Sequence, residues 1–94
     1  MHKPMLAMEL IPVIRGMLAD VETERDPVVA GRHAALWRAQ QYAARFSHTM
    51  EDLRAYCLES LAPRRHLEET DYLRGYREGF QAVLGEIRRL ETRG

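Results

Sequence analysis

Val29, Leu36, Ala43, Met50 and Cys57 lie seven residues apart, and Ala39, Phe46 and Leu53 fill the positions between them. An apolar residue at every third or fourth position marks one face of an α-helix. Sustained over about four heptads, it makes a seam that another helix must cover. A second seam follows in Leu73, Tyr76, Phe80, Val83, Ile87 and Leu90. No stretch alternates with the two-residue period of a strand, so the chain is expected to be all-α and a single domain over residues 1–94.

The boundaries follow from capping chemistry. Asp26-Pro27 places a side-chain acceptor before a proline at the first helical position, and Ala62-Pro63 supplies a stop. The first seam therefore predicts one long helix over residues 27–61. Thr49, with Asp52 three residues on, resembles a capping pair at Ser47-His48-Thr49, but the seam crosses this point without a phase shift, which favours continuity. The second seam predicts a helix over 66–92, packed against the first as a long antiparallel hairpin. Leu6, Leu10, Val13, Ile14, Met17, Leu18 and Val21 predict a first helix over 5–23, which covers the remaining apolar surface. Pro12 either kinks that helix or begins it after a separate turn. The expectation is a three-helix arrangement with a kinked N-terminal helix.

A 94-residue chain buries only about 60–65% of its unfolded surface, so an oligomer or a partner would add stability. The two seams point to self-association, with a dimer favoured. The formal net charge is zero, which removes any long-range attraction to nucleic acid or to an anionic membrane. Thirteen arginines stand against one lysine, Lys3. A GC-rich coding sequence accounts for that bias, and arginine's planar fork also suits interfaces and bidentate ion pairs. With Cys57 alone, no intrachain disulfide and no cysteine zinc site can form, which fits a reducing cytoplasm. The apolar run over residues 5–18 contains Glu9, Pro12 and Arg15 and is too short to span a bilayer, so no membrane association is expected.

No catalytic constellation assembles from the residue types present. His2, His33, His48 and His66 never fall three or four apart, and no Glu-x-x-His occurs, so no metal is expected. All-α nucleotide pyrophosphohydrolases hold magnesium between two acidic helix pairs. Glu68-x-x-Asp71 could supply one pair, but Arg54 and Ala55 stand where Glu51-Asp52 would need its second carboxylate. Cys57 sits in a seam, where cysteine behaves as a small hydrophobe. No strand precedes a glycine-rich loop, and Gly75-x-x-x-Gly79 lacks the lysine and hydroxyl of a phosphate loop. Neither a cofactor nor a catalytic residue is expected.

The second seam carries Gly75, Gly79 and Gly85, and three glycines inside a helix cost about 2.5–3 kcal/mol relative to alanine. On a helical wheel Gly75, Gly79 and Ala82 form a stripe beside the apolar face, flanked by Tyr72 and Tyr76. Small residues at i,i+4 let another backbone approach closely, either that of the first helix or that of a second copy. Gly85 lies on the polar side, and the wheel gives it no role. Arg38, Gln41, Arg45 and His48 form a basic stripe opposite the Leu36/Phe46 side, whereas Arg32 projects toward the seam. The stripe suits solvent or an acidic partner, and it also admits a nucleic-acid-associated regulator as an alternative. Trp37 lies off the seam. Either the first helix packs on it, or it anchors an interface together with Arg38 and Tyr42.

The C-terminal pattern Arg74-Gly-Tyr-x-x-Gly-Phe-x-x-Val-Leu-x-x-Ile87 resembles the closing helix of small helical proteins encoded by phages and prophages. That group includes early accessory proteins and inhibitors of host machinery, among them anti-CRISPR and other anti-defence proteins. The resemblance covers about a fifth of the chain and carries over no catalytic residue; it implies action by binding a protein target. The expected function is thus a non-enzymatic protein-protein interaction module. Its expected interface residues are Trp37, Arg38, Arg45, Tyr72, Gly75, Tyr76 and Gly79. A small helical ligand-binding protein or enzyme is a further alternative.

Overall fold

The computed structural model describes residues 5–20, 26–45, 47–62 and 70–92. It is all-α. A short 3-10 turn, Ala7–Leu10, runs directly into α1 (Ile11–Asp20), and α2 (Pro27–Ala43), α3 (Met50–Leu61) and α4 (Asp71–Thr92) follow. Among the described residues the β-type pairing is a single antiparallel bridge between Leu6 and Thr49.

Helix α2 starts as its sequence dictates, with the Asp26 carboxylate accepting a 2.8 Å hydrogen bond from the Val28 amide and Pro27 in the first turn. The long helix over 27–61 does not form, because the chain leaves helical geometry after Ala43 and re-enters at Met50. Three sets of contacts hold the interruption. The Thr49 hydroxyl accepts from the Asp52 amide at 3.1 Å while the Asp52 carboxylate accepts from the Thr49 amide at 2.8 Å, a reciprocal capping box. His48 Nδ1 lies 2.9 Å from the Tyr42 carbonyl. The N-terminal segment supplies the rest: the Ala7 amide donates to the His48 carbonyl at 3.0 Å, and the Met50 amide donates to the Met5 carbonyl at 2.6 Å. Groups that a continuous helix would have bonded internally thus find partners elsewhere. The seam survives the break because Leu36, Ala43, Met50, Leu53 and Cys57 are all buried. Seven-residue spacing returns each helix to the same side of the core whether or not the chain turns between them.

The first helix is shorter than its periodicity predicts. Leu6 is extended, at φ −81° and ψ 142°, because its neighbours pair with the α2–α3 connection. The Leu6 amide donates to the Glu9 carboxylate at 2.8 Å, which secures the 3-10 turn, and α1 begins at Ile11 with Pro12 in its first turn. Helix α4 begins at Asp71 rather than 66, since the Thr70 hydroxyl caps it by accepting from the Leu73 amide at 3.1 Å. Residues 21–23 and 66–69 of the predicted helices, with Phe46 and Pro63, lie outside the described residues.

The hairpin is therefore built from α3 and α4. Tyr56 packs on Phe80, and Arg54, nearer the start of α3, reaches Glu91 near the end of α4, so the two run antiparallel. Helix α2 lies alongside α4 in the same sense, with Val28 against Gly75, Gly31 against Tyr72 and Tyr76, and Ala35 against Gly79. Ala7, Leu10 and Ile14 of the N-terminal element close the core over Leu36, Phe80, Val83 and Ile87. Both seams are thus used within one chain.

Candidate functional site

The seven expected interface residues separate into two groups. Gly75 and Gly79 are buried, and the backbone beside them belongs to α2, not to the first helix and not to a second copy. A β-carbon at Gly79 would lie 2.6 Å from Ala35 Cβ and 2.9 Å from the Arg32 carbonyl oxygen, so the stripe is an internal contact and offers no surface to a partner. Its complement on α2 is Gly31, Ala35 and Ala39, small residues four apart and all buried. That repeat is the sequence signal for the contact, and the heptad seam that shares Ala39 masks it. Arg32, on the same side of α2, reaches Glu78 of α4 at 3.4 Å, which accounts for its projection toward the seam.

Trp37, Arg38, Arg45, Tyr72 and Tyr76 come together on one face. Arg38 stands between two adjoining depressions. One, about 210 Å³, is lined by Arg38, Ser60, Ala62, Tyr72, Leu73, Tyr76 and Arg77, and lies among α2, the end of α3 and the start of α4. The other, an open groove of about 640 Å³, is lined by Trp37, Arg38, Gln41, Tyr42, Ala44, Arg45 and Tyr56. Trp37 is 52% exposed, so the first helix does not pack over it. Among the described residues no carboxylate lines either depression, and neither Arg38 nor Arg45 has an ion-pair partner.

The floor joining the two depressions is aromatic. Tyr42 stacks between His48 and Tyr56 at centroid distances of 3.9 and 4.3 Å, and Tyr56 and Tyr76 each meet Phe80 edge-on at 5.8 and 5.0 Å. Phe80 is fully buried, which ties the floor to the core and fixes the rings before any ligand arrives. Burial, aided by the Asp52 and Glu59 carboxylates and opposed by Arg45, holds the Tyr42 phenol above its ordinary pKa, so it stays a neutral hydroxyl at physiological pH. His48 belongs to this stack and not to the exposed basic stripe, since its ring is engaged by Tyr42. Sequence reasoning missed Tyr56 and Arg77. Tyr42 and Tyr56 directly precede the seam residues Ala43 and Cys57, and an aromatic at both flanking positions is the signal that was available.

Two nucleophile-type groups lie close to this face, and neither is activated. Burial pushes the Cys57 thiol up to about 12, and the Ser60 hydroxyl donates to the Tyr56 carbonyl at 2.8 Å. Among the described residues no cluster of three or more His, Cys, Asp or Glu could hold a metal, and no helix is long and apolar enough to cross a membrane. Glu68, His66 and Glu69 lie outside the described residues. No protein-family model, curated protein or solved structure matches the chain.

Proposed function

We propose that this chain is a non-enzymatic interaction module, a small helical accessory protein or inhibitor of a host protein, which docks through the Trp37–Arg38–Arg45–Tyr72–Tyr76 face. The observation that carries the reading is the convergence of tryptophan, tyrosine and arginine around two adjoining depressions on a fixed aromatic floor. These three residue types dominate interface energetics because they combine large contact area with few rotatable bonds or with planar hydrogen bonding. A half-exposed tryptophan beside two arginines that no carboxylate among the described residues pairs gains from a partner both the burial of apolar surface and the completion of ion pairs. Phage origin, anti-defence activity and cytoplasmic location belong to the same proposal and rest on the C-terminal pattern and the single cysteine. Self-association has lost the motivation that the seams gave it, and light scattering over micromolar concentrations measures it directly.

The test is affinity capture from host lysate with the wild-type chain beside Trp37→Ala, Arg38→Ala/Arg45→Ala and Tyr72→Ala variants, each checked for native helicity. A protein retained by the wild type and lost by the variants supports the reading. Capture that is indifferent to all three would overturn it. A nucleic-acid-associated role remains the second reading, since arginines interleaved with aromatic rings also suit stacked bases. Gel shifts at low salt, where phosphate contacts are strongest, decide it.

A further inference from the structure

The charge pattern of this face restricts its partner's chemistry. Arg32, Arg54, Arg74 and Arg89 each contact a carboxylate of the same chain, whereas Arg38 and Arg45 contact none among the described residues. From Pro27 to Thr49 the chain contains no acid. Two carboxylates come near the face from α3, Asp52, held in the Thr49 capping box, and Glu59, and neither forms an ion pair with Arg38 or Arg45. Arg38 lies in α2 and Arg45 two residues past its end, and both line the open groove. Trp37, Gln41 and Tyr42 line the same groove.

We infer that the occupant of this face is an acidic amphipathic helix of the partner protein, lying in the groove between α2 and α3 with carboxylates on Arg38 and Arg45. The inference rests on the protein-binding reading above. Each carboxylate can take an arginine fork through two parallel hydrogen bonds. An apolar side chain on the same face of that helix meets Trp37 and the Tyr42–Tyr56 stack. A helix fits better than a strand because the groove lies between two helices and among the described residues no open sheet edge is present to extend. A peptide fits better than a nucleic acid because the whole chain is electrically neutral and so has no long-range pull on a polyanion.

The test is fluorescence anisotropy with three labelled probes, on the wild type and on Arg38→Glu/Arg45→Glu and Trp37→Ala variants of native helicity. The probes are a helix-forming peptide of about 16 residues with glutamates seven apart and leucines between, the same peptide with lysines for glutamates, and an oligothymidylate of similar length. The acidic peptide should bind the wild type, about tenfold or more tighter than it binds Arg38→Glu/Arg45→Glu, and more weakly as salt rises. The lysine peptide should recover binding to the charge-reversed variant, and Trp37→Ala should weaken the acidic peptide several-fold. Acidic-peptide binding that ignores the charge reversal, no binding at all, or tighter binding of the oligonucleotide overturns the inference. If lysate capture stays sensitive to the face variants while the acidic peptide fails, the protein-binding reading stands and only the acidic helix falls.

Discussion

The carbonyl oxygen of Val28 occupies the place that a β-carbon on Gly75 would take, and the Tyr72 carbonyl stands in the same relation to Gly31. Helices α2 and α4 therefore meet backbone to backbone, and the obstacle to a side chain is main chain that cannot rotate away. Gly75→Ala and Gly31→Ala should each destabilise by about 1–3 kcal/mol or more through forced separation, despite alanine's higher helix propensity. Gly79→Leu should have the larger effect. A fall in the urea midpoint with an unchanged slope measures it.

Gly85 sits in the same helix under opposite conditions. It is exposed, and a β-carbon there meets nothing within 4 Å. Gly85→Ala should therefore stabilise by about 0.5–1 kcal/mol through helix propensity alone. A loss of stability on thermal melting would show that a close neighbour uses this position too.

The Thr49–Asp52 capping box gives stability a dependence on pH. The Thr49 backbone amide and then its hydroxyl hold the Asp52 carboxyl below its ordinary value. A carboxylate depressed in the folded state contributes stability that is present above its unfolded value, near pH 4, and lost as pH falls through the lower folded value. Asp52→Asn should flatten that acid limb, while Thr49→Ala should cost about 1 kcal/mol at neutral pH as a lost N-cap. Denaturant melts at several pH values separate the two.

Cys57 is the one thiol, fully buried, with its titration pushed up to about 12 by desolvation. A thiol-specific reagent at neutral pH should label the native chain only at the rate of transient opening, and the unfolded chain at once. Rapid native labelling would show that the α3 seam is open in solution.

The sequence and the structure part company where two local signals compete. Both seams and the Asp26-Pro27 start were legible, because each depends on periodicity or on a cap confined to a few residues; at Pro12 a kinked helix was expected, with a separate turn as the alternative, and the chain takes the turn. The break after Ala43 was not, because a seven-residue repeat is the same for one helix as for two that bury the same side. Its deciding partners, Met5 and Ala7, are more than forty positions away in sequence. The α2 complement of Gly75 was hidden for a related reason: Gly31, Ala35 and Ala39 are read first as part of an apolar face. The Arg38–Arg45 stripe was visible on the wheel of the predicted helix over 27–61, but its junction with Tyr72 and Tyr76 needs α2 and α4 to run in the same sense, and that follows from the break.

The same competition makes the N-terminal segment a determinant of the fold. Residues 44–49 contain neither glycine nor proline, so nothing intrinsic to them forbids a helix continuing from α2 into α3. What opposes it is the capping box and the pairing of Met5 and Ala7 with Met50 and His48. Deleting residues 1–10 removes two of these backbone hydrogen bonds together with the buried Ala7 and Leu10, which should lower stability by several kcal/mol on the scale of about 1 kcal/mol per hydrogen bond and about 2–3 for a buried leucine. It also removes the clasp on the break. A fused helix would carry the seam residues of α3 away from their own α4, and a second copy is the one surface on which they could be buried again. The truncated chain should therefore show a concentration-dependent dimer in light scattering and no loss of helicity per residue by circular dichroism. A truncated chain that stays monomeric with unchanged stability would mean that the capping box alone holds the break.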